Sequence, residues 1–229
     1  MIEKLKKTIK DALIFIRDFA SSLYINFRVL PLKQAMRMPI QIKWNTRIQN
    51  ISKGSIEIDA DIIDHNMIRI GYKGGKFLHS GKTYIDIING GKVIFKGTAT
   101  IADGASLFID GGKVIFGSNF YSNCSMQIHC EKCIQLGNDL LMGWNVSLRD
   151  NDGHSNYVDG EIKPVIGDIK IGNHVWVASD VTILKNTTIS DNSLVACNSV
   201  VCGLKMGNTN CLVAGVPAKI KKENVSWQE

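Results

Sequence analysis

Aliphatic residues recur at every sixth position through much of the C-terminal half of the chain. Most of the residues that follow them are small, and Asn, Asp and Ser fill much of the remainder. A six-residue step gives one short strand and one tight corner, and Asn and Asp tolerate the left-handed backbone of a corner. Three steps close one coil of a triangular prism, in which the aliphatic side chains stack from coil to coil. The positions in phase are Ile171, Val177, Ile183, Ile189, Val195 and Val201.

The pattern continues upstream in a weaker form. The same phase runs through Leu136, Met142 and Leu148 but is disturbed near Ser122, so we expect the earlier coils to be irregular. A second signal lies there, because IINGGKVIFKG at 87–97 returns as FIDGGKVIFGS at 108–118. Short apolar runs that repeat between glycine turns are typical of β-strands.

The segment 1–30 follows a helical period instead. Apolar residues from Ile2 to Phe27 recur every three or four positions and form one stripe, and the early lysines lie mostly off it. The stripe either packs on the protein or on a neighbouring subunit, or it rests on a membrane surface as a basic amphipathic helix. We therefore divide the chain into a helical segment 1–38, a β-helix 39–212 and a C-terminal tail 213–229.

One long interruption breaks the β-repeat. Residues 149–168 lack the six-residue phase, and His154 lies near their start. A long insertion without regular structure in a compact domain is more often functional than accidental. We therefore expect the insertion to be an active-site loop.

Composition narrows the classes of function. The chain carries 27 Lys and Arg against 21 Asp and Glu, and this net charge of +6 favours anionic partners. No basic stripe interleaves with aromatic residues, so we expect no nucleic-acid partner. The sequence has no secretory signal, so we expect a cytoplasmic protein with reduced thiols. The Cys130–Cys133 pair lacks a second cysteine pair or a histidine pair, so we expect no metal.

Four segments of the chain resemble a known enzyme family. They are GSNFYSN at 117–123, LGNDLLMGWNVSL at 136–148, IGNHVWVASDVTIL at 171–184 and LVAGVPAKIKK at 212–222. Through them the chain resembles the hexapeptide-repeat acyltransferases, and most of all the galactoside, maltose and bacterial polysaccharide O-acetyltransferases. The resemblance implies an all-β fold, the left-handed parallel β-helix. It also implies acetyl-CoA as donor, a hydroxyl or amine as acceptor, and a homotrimer with each active site between neighbouring subunits.

The resemblance further implies roles for single residues. It makes His154 the base that takes a proton from the acceptor, with Asp150, Asp152 or a backbone carbonyl to orient its ring. It assigns Asn123 and Trp176 to substrate binding, while a corner asparagine and a subunit contact remain the alternatives for these two residues. Backbone N–H groups near Trp176 are candidates to stabilise the oxyanion.

Four more residues match the family's coenzyme site. Ser179 and Cys197 correspond to positions along the pantetheine arm, whereas Lys219 and Lys222 correspond to basic positions near the nucleotide. A solvated tail would also carry such lysines. The chain departs from its relatives in the turn at 202–210, which leaves the adenine end of the site unassigned.

These observations favour an acetyl-CoA-dependent O-acetyltransferase that modifies a sugar in a precursor of a cell-surface polysaccharide. An amino-sugar N-acetyltransferase is the alternative within the same class. A non-catalytic trimeric β-helix scaffold is the alternative from another class. Whether the acceptor is lipid-linked, and whether the protein works at the inner face of the membrane, stays open.

Overall fold

A computed structural model describes residues 2–75 and 81–228, with side chains from Lys6 onward. Helix α1 (Ile2–Val29) opens the chain, and a single turn, α2 (Leu32–Ala35), follows it. The long helix stops close to Pro31, which lacks the N–H that a helix interior needs. Neither helix of the described residues has an apolar stretch that could cross a lipid bilayer.

Short strands make up most of the remaining described chain. The first twelve are β1 (Ile40–Ile42), β2 (Arg47–Gln49), β3 (Ile56–Ile58), β4 (Ile68–Tyr72), β5 (Tyr84–Ile88), β6 (Lys92–Phe95), β7 (Ala99–Ala102), β8 (Ser106–Asp110), β9 (Lys113–Phe116), β10 (Phe120–Ser122), β11 (Gln127–Cys130) and β12 (Cys133–Leu136). The next twelve are β13 (Leu141–Met142), β14 (Ser147–Arg149), β15 (Asn156–Val158), β16 (Glu161–Lys163), β17 (Ile169–Ile171), β18 (Trp176–Val177), β19 (Thr182–Leu184), β20 (Thr187–Ile189), β21 (Leu194–Val195), β22 (Val200–Val201), β23 (Leu212–Gly215) and β24 (Ala218–Lys222).

Successive strands join three parallel sheets in turn, so the chain winds as a triangular prism. Sheet A has the order β1-β4-β7-β10-β13-β18-β21-β23-β24, sheet B the order β2-β5-β8-β11-β14-β19-β22, and sheet C the order β20-β17-β12-β9-β6-β3. Two antiparallel strand pairings occur among the described residues, β24 on β23 and the separate hairpin of β15 and β16. The parallel β-helix predicted from the six-residue phase is confirmed.

The predicted aliphatic stacks fill the prism. The register places one aliphatic over the next, as Ile171 with Ile189, Val177 with Val195 and Ile183 with Val201. All six side chains are buried, and each such burial contributes about 1.5–3 kcal/mol. Because each of these residues pairs with the aliphatic that follows three six-residue steps later, each coil there consists of three six-residue sides.

The expectation of irregular early coils is confirmed for the first turns of the prism, where Ile40 pairs with Ile68 but Arg47 pairs with Tyr84 and the register shifts within β4. It is wrong for the coils near Ser122. Ser122 lies in register with Met142 and is fully buried, so a serine occupies an aliphatic position in an unbroken stack. Upstream coils are also longer, since the register partners Ala99 and Phe120 lie further apart in the sequence than three six-residue steps. This longer coil explains the wider spacing of the GGKVIF repeat and the loss of the six-residue phase.

Asparagine and aspartate turn the corners, as predicted. Asn119, Asp139, Asn145 and Asp180 all have positive φ, between 53° and 59°. Their side chains also link coils, because the Asn119 amide donates to Asp139 and the Asn145 amide to Asp180, each over 2.9 Å. A short polar side chain therefore both permits the left-handed turn and bonds to the turn above.

Helix α1 covers the edge strand of sheet A at the N-terminal end of the prism. The Asn26 side chain donates to the Ile40 carbonyl over 2.7 Å and accepts from the Ile40 N–H over 3.1 Å. One turn earlier Ser22 accepts from the Ile42 N–H. Because a helical step of four residues is about as long as two residues of strand, these side chains substitute for a missing strand.

The apolar stripe of α1 does not pack on this chain. Leu13 is 51% exposed and Phe19 is 54% exposed, whereas the helix buries Ile25 and Val29 near its end. The prediction that the stripe packs on the rest of the protein is therefore wrong for a single copy. Polar residues face the prism because they must satisfy the open backbone groups of β1.

Candidate active site

Four of the predicted site residues line one groove on the outside of the prism. Asn123, Trp176, Ser179 and Cys197 surround a space of about 510 Å³. The groove follows the edge where sheet A turns into sheet B, and its residues come from three turns of the chain, with Trp176 and Ser179 on the same turn. The structure thus brings together residues that are far apart in the sequence.

The sheet A wall of the groove is apolar. Trp176 lies in register between Leu141 of the coil before it and Leu194 of the coil after it. All three side chains are partly exposed and line the groove. Such a wall suits a ligand with a narrow, largely apolar chain and offers it few hydrogen bonds.

Small residues at the corners keep the groove open. Gly143 passes so close to the next coil that a Cβ there would meet the Ser179 nitrogen and hydroxyl oxygen at 2.7 Å. The Ser179 hydroxyl accepts the Trp144 N–H over 3.2 Å, so this serine also ties neighbouring coils together. A larger residue at position 143 would push the coils apart at the groove.

Two of the predicted oxyanion donors near Trp176 are already engaged. The Trp176 N–H donates to the Ser193 carbonyl over 3.0 Å, and the Ala178 N–H donates to the Val195 carbonyl over 2.9 Å. These bonds belong to the ladder between coils, so the two N–H groups are not open to a ligand.

Asn123 is hydrogen-bonded to a segment that lies outside the regular coils. Its carbonyl oxygen accepts the Gly75 N–H over 2.8 Å, and a Cβ on Gly75 would come within 3.0 Å of the Trp144 ring. The segment after β4 therefore passes over one end of the groove. With its oxygen engaged, the Asn123 amide has its N–H donors to offer to a ligand.

The two predicted lysines lie at the C-terminal end of sheet A. Lys219 and Lys222 belong to the antiparallel strand β24, and both are exposed. Sheet A runs from β18 through β21 and β23 to β24, so the lysines stand three strands beyond Trp176. At about 4.8 Å per strand this is about 14 Å, within reach of a long coenzyme that starts in the groove.

The insertion that carries His154 is an ordered loop. Its middle forms the exposed hairpin of β15 and β16, with Tyr157 paired to Ile162. Both of these apolar side chains are exposed, by 66% and 60%. His154 precedes the hairpin and is itself exposed. The loop therefore holds the imidazole away from its own prism.

The two aspartates before His154 hold the loop and do not orient its ring. Asp150 is fully buried and accepts the N–H groups of Glu131 and Lys132, both over 2.8 Å. Asp152 forms an ion pair with Lys185 of the next coil. Both carboxylates therefore fix the base of the loop.

His154 and the groove lie at different corners of the same coil. Trp144, in the groove, falls between a strand of sheet A and one of sheet B, while the loop leaves between sheets B and C. The stretch from Trp144 to Asp150 spans one face of the prism, about 20 Å at about 3.3 Å per residue. The groove of one chain and the histidine of the same chain are thus on separate edges.

Sequence reasoning missed the aromatic residues beside the groove. Trp227 of the tail stacks on His174, with ring centres 4.3 Å apart, and lies 6.1 Å from Trp176. His174 itself is a corner residue with a φ of 51°. No periodic signal marks Trp227 or Trp144, because neither belongs to the aliphatic phase.

Cys130, the first member of the cysteine pair, contacts the base of the loop. Burial and the nearby Asp150 carboxylate raise the pKa of the Cys130 thiol, which donates to that carboxylate over 3.3 Å. Across the described residues no group of three or more His, Cys, Asp and Glu side chains is placed to hold a metal ion.

Known proteins resemble the chain in both sequence and fold. It is 32% identical over 148 residues to WbbJ of Escherichia coli K12, named for O-acetyl transfer in lipopolysaccharide biosynthesis, covering 60% of this chain and 74% of WbbJ. It is 42% identical over 121 residues to the polysialic acid O-acetyltransferase of Escherichia coli O1:K1, covering 51% of this chain but only 38% of that relative.

A solved structure agrees at the level of the fold. The crystal structure of the polysialic acid specific acetyltransferase NeuO matches with a TM-score of 0.50 and 22% identity, over 83% of this chain and 89% of that one. No family model matches the chain. The coiled prism, the hexapeptide phase and the likeness to WbbJ agree: the chain belongs to the hexapeptide-repeat acyltransferases, whose fold is the left-handed parallel β-helix.

Proposed function

We propose that this protein transfers the acetyl group of acetyl-CoA to a sugar hydroxyl in a precursor of a cell-surface polysaccharide. The observation that carries the proposal is the shared groove of Asn123, Trp176, Ser179 and Cys197. Family membership supports acyl transfer. The names of two relatives, which concern polysialic acid and lipopolysaccharide, support a polysaccharide acceptor.

The donor lies along the groove. Its pantetheine arm packs on Trp176 and passes the small corner residues Ala178 and Ala196, which leave room for it. The phosphates of the coenzyme extend toward Lys219 and Lys222. The exposed ammonium groups of these lysines balance the negative charge of the phosphates. The thioester then lies at the Asn123 end of the groove.

His154 acts as general base and then as general acid. Its neutral ring takes the proton of the acceptor hydroxyl while that oxygen attacks the thioester carbonyl. The tetrahedral intermediate collapses by breaking the carbon–sulfur bond, and the imidazolium returns the proton to the departing thiolate. The Asn123 amide donates to the oxygen that bears the developing charge.

The active site needs two copies of the chain. Because His154 and the groove occupy different corners of one prism, a second prism packed alongside brings its own loop to the first groove. The exposed apolar side chains of the hairpin, Tyr157 and Ile162, support such a contact. Cyclic packing of this kind repeats the contact around a closed ring, and three prisms give the homotrimer.

The acceptor is proposed to be a lipid-linked glycan at the cytoplasmic face of the membrane. Precursors of surface polysaccharides are anchored where they are made, so a cytoplasmic enzyme would meet them there. An amino-sugar acceptor would give an amide in place of an ester. The groove argues against a purely structural scaffold, which has no use for an apolar cleft.

The test is ligand binding followed by product analysis. Acetyl-CoA at about a hundred times its Kd is expected to stabilise the protein by about 2.7 kcal/mol in thermal unfolding. Polysaccharide fragments incubated with protein and acetyl-CoA are expected to gain acetyl esters that mild alkali removes. Alkali-stable amides would identify an N-acetyltransferase, and the absence of any stabilisation by acetyl-CoA would contradict the proposal.

A further inference from the structure

Helix α1 has an apolar face that points away from the prism. Asp18, Ser22 and Asn26 face β1, and at about 100° per residue the opposite side of the helix carries every third or fourth apolar residue. The large members of this outward face are Ile9, Leu13, Ile16, Leu23 and Phe27, with exposed fractions from 41% to 60%. An apolar face of five large side chains is costly to leave in water.

A row of positive charge borders this face. Lys6, Lys10 and Arg28 follow one another at spacings close to whole numbers of helical turns, so they lie along one edge of the helix. Arg17 shares this edge, but its guanidinium lies over the Trp44 ring. The acidic side chains described on α1 are Asp11 and Asp18, and Asp18 accepts the Trp44 N–H on the prism side. Among the described residues, the outward face therefore carries apolar side chains bordered by cations, and it carries no carboxylate.

The orientation of α1 indicates whether a second copy of the chain or a charged layer covers its outward face. Because α1 bonds along β1, it lies across the end of the prism, at right angles to the prism axis. In a ring of parallel prisms all outward faces point in the same direction, so they cannot pack on one another around the ring. The outward faces instead form a single flat surface at one end of the ring. The cations at the edge of this surface would attract a negatively charged layer.

We propose that the outward face of α1 docks the protein end-on on an anionic lipid bilayer. The helix lies in the headgroup region with its apolar side chains among the acyl chains and its cations against lipid phosphates. The groove strands β13 and β21 are four and six strands from β1 in sheet A. At about 4.8 Å per strand the groove stands about 20–30 Å from the docked end, in the aqueous phase.

The experiment is sedimentation of the full chain with lipid vesicles. We expect co-sedimentation with vesicles of phosphatidylcholine and phosphatidylglycerol in equal parts, and much less with phosphatidylcholine alone. The variant Leu13→Asp/Leu23→Asp should bind at least about tenfold more weakly, because each change removes apolar burial and adds repulsion. Lys6→Gln/Lys10→Gln should weaken binding to the anionic vesicles about fivefold for each lysine.

Val216→Asp is the matched control, since this residue is 70% exposed and lies at the far end of the prism. It should sediment as wild type does. Acetyl-CoA should raise the Tm of every variant equally, which separates this proposal from the proposed transfer reaction. Failure of the wild type to bind anionic vesicles, or undiminished binding by Leu13→Asp/Leu23→Asp, would overturn docking. Docking would also be overturned if light scattering showed a doubled particle mass for the wild type but not for Leu13→Asp/Leu23→Asp. That result would show that two copies of the protein cover the face.

Discussion

Lys185 holds Asp152 in an ion pair two residues before His154, and the same ammonium group donates to the carbonyl of Pro164 near the other end of the loop. One side chain therefore fastens both ends of the loop to the next coil. The Lys185 side chain is only 17% exposed, so water screens this pair less than it screens a surface pair. We therefore expect Lys185 to help fix the position of the imidazole.

Removal of this fastening should slow the chemical step while leaving donor binding intact. We expect Lys185→Met to lower kcat about tenfold, because a mobile loop presents His154 in the correct place for less of the time. The Kd of acetyl-CoA should stay unchanged, since the groove lies at another corner. Lys96→Met, which breaks an exposed pair with Asp59, is the control and should behave as wild type. An unchanged kcat in Lys185→Met would show that the loop needs no such support.

His154 should be required for transfer and dispensable for binding. We expect His154→Ala to lose about 10²–10⁴-fold in kcat, the range typical of a general base. Acetyl-CoA should stabilise the variant as much as it stabilises the wild type. His65→Ala is the control, because His65 is another exposed loop histidine. Retention of most of the transfer activity by His154→Ala would remove the base from the mechanism and favour an amine acceptor.

The lysines of β24 should contribute to the affinity for the donor. We expect Lys219→Ala and Lys222→Ala each to raise the Kd of acetyl-CoA about three- to tenfold, with kcat unaffected, because each contacts a phosphate. The difference from wild type should shrink as salt is added, since both side chains are exposed. Lys170→Ala provides the control, an exposed lysine on sheet C. Equal Kd values in all four proteins would place the phosphates elsewhere.

The junction of helix and prism should be a large contributor to stability. Asn26→Ala leaves the buried N–H and carbonyl groups of Ile40 without partners, which should cost about 2–4 kcal/mol in the free energy of unfolding. Tyr24→Ala, an exposed change in the same helix turn, should cost less than about 0.5 kcal/mol. Chemical denaturation followed by circular dichroism measures both. Equal losses in the free energy of unfolding would mean that the Asn26 amide does not hold α1 to β1.

The regular half of the fold could be predicted from sequence because one physical constraint repeats there. Each coil of six-residue sides must place an aliphatic residue inside, so Val177, Val195 and their neighbours reveal the prism directly. The coils around Ser122 also pair in register, but they are longer and a serine replaces an aliphatic there, so the same rule wrongly predicted irregular coils at this point. A helix stripe likewise predicts a buried face, yet Asn26 shows that the polar face can be the one that packs.

The site was only partly predictable, for a reason of topology. The resemblance to family motifs indicated Asn123, Trp176, Ser179 and Cys197. The winding of the chain brings these four residues to one edge of the prism. No local pattern could show that Asp150 is a buried acceptor for backbone N–H groups, because its partners belong to the preceding coil. Trp227 and Gly75 contact groove residues from a tail and from an insertion, where no period constrains the sequence.

The most direct test of the shared active site is complementation between two inactive variants. His154→Ala removes the base, and Cys197→Trp fills the groove from an exposed corner position. The two chains, co-expressed with different tags and purified through both, should regain about one third of wild-type transfer activity, because each mixed trimer unites an intact loop with an intact groove at one of its three sites. Mixed assemblies that stay as inactive as either parent would contradict a site shared between subunits.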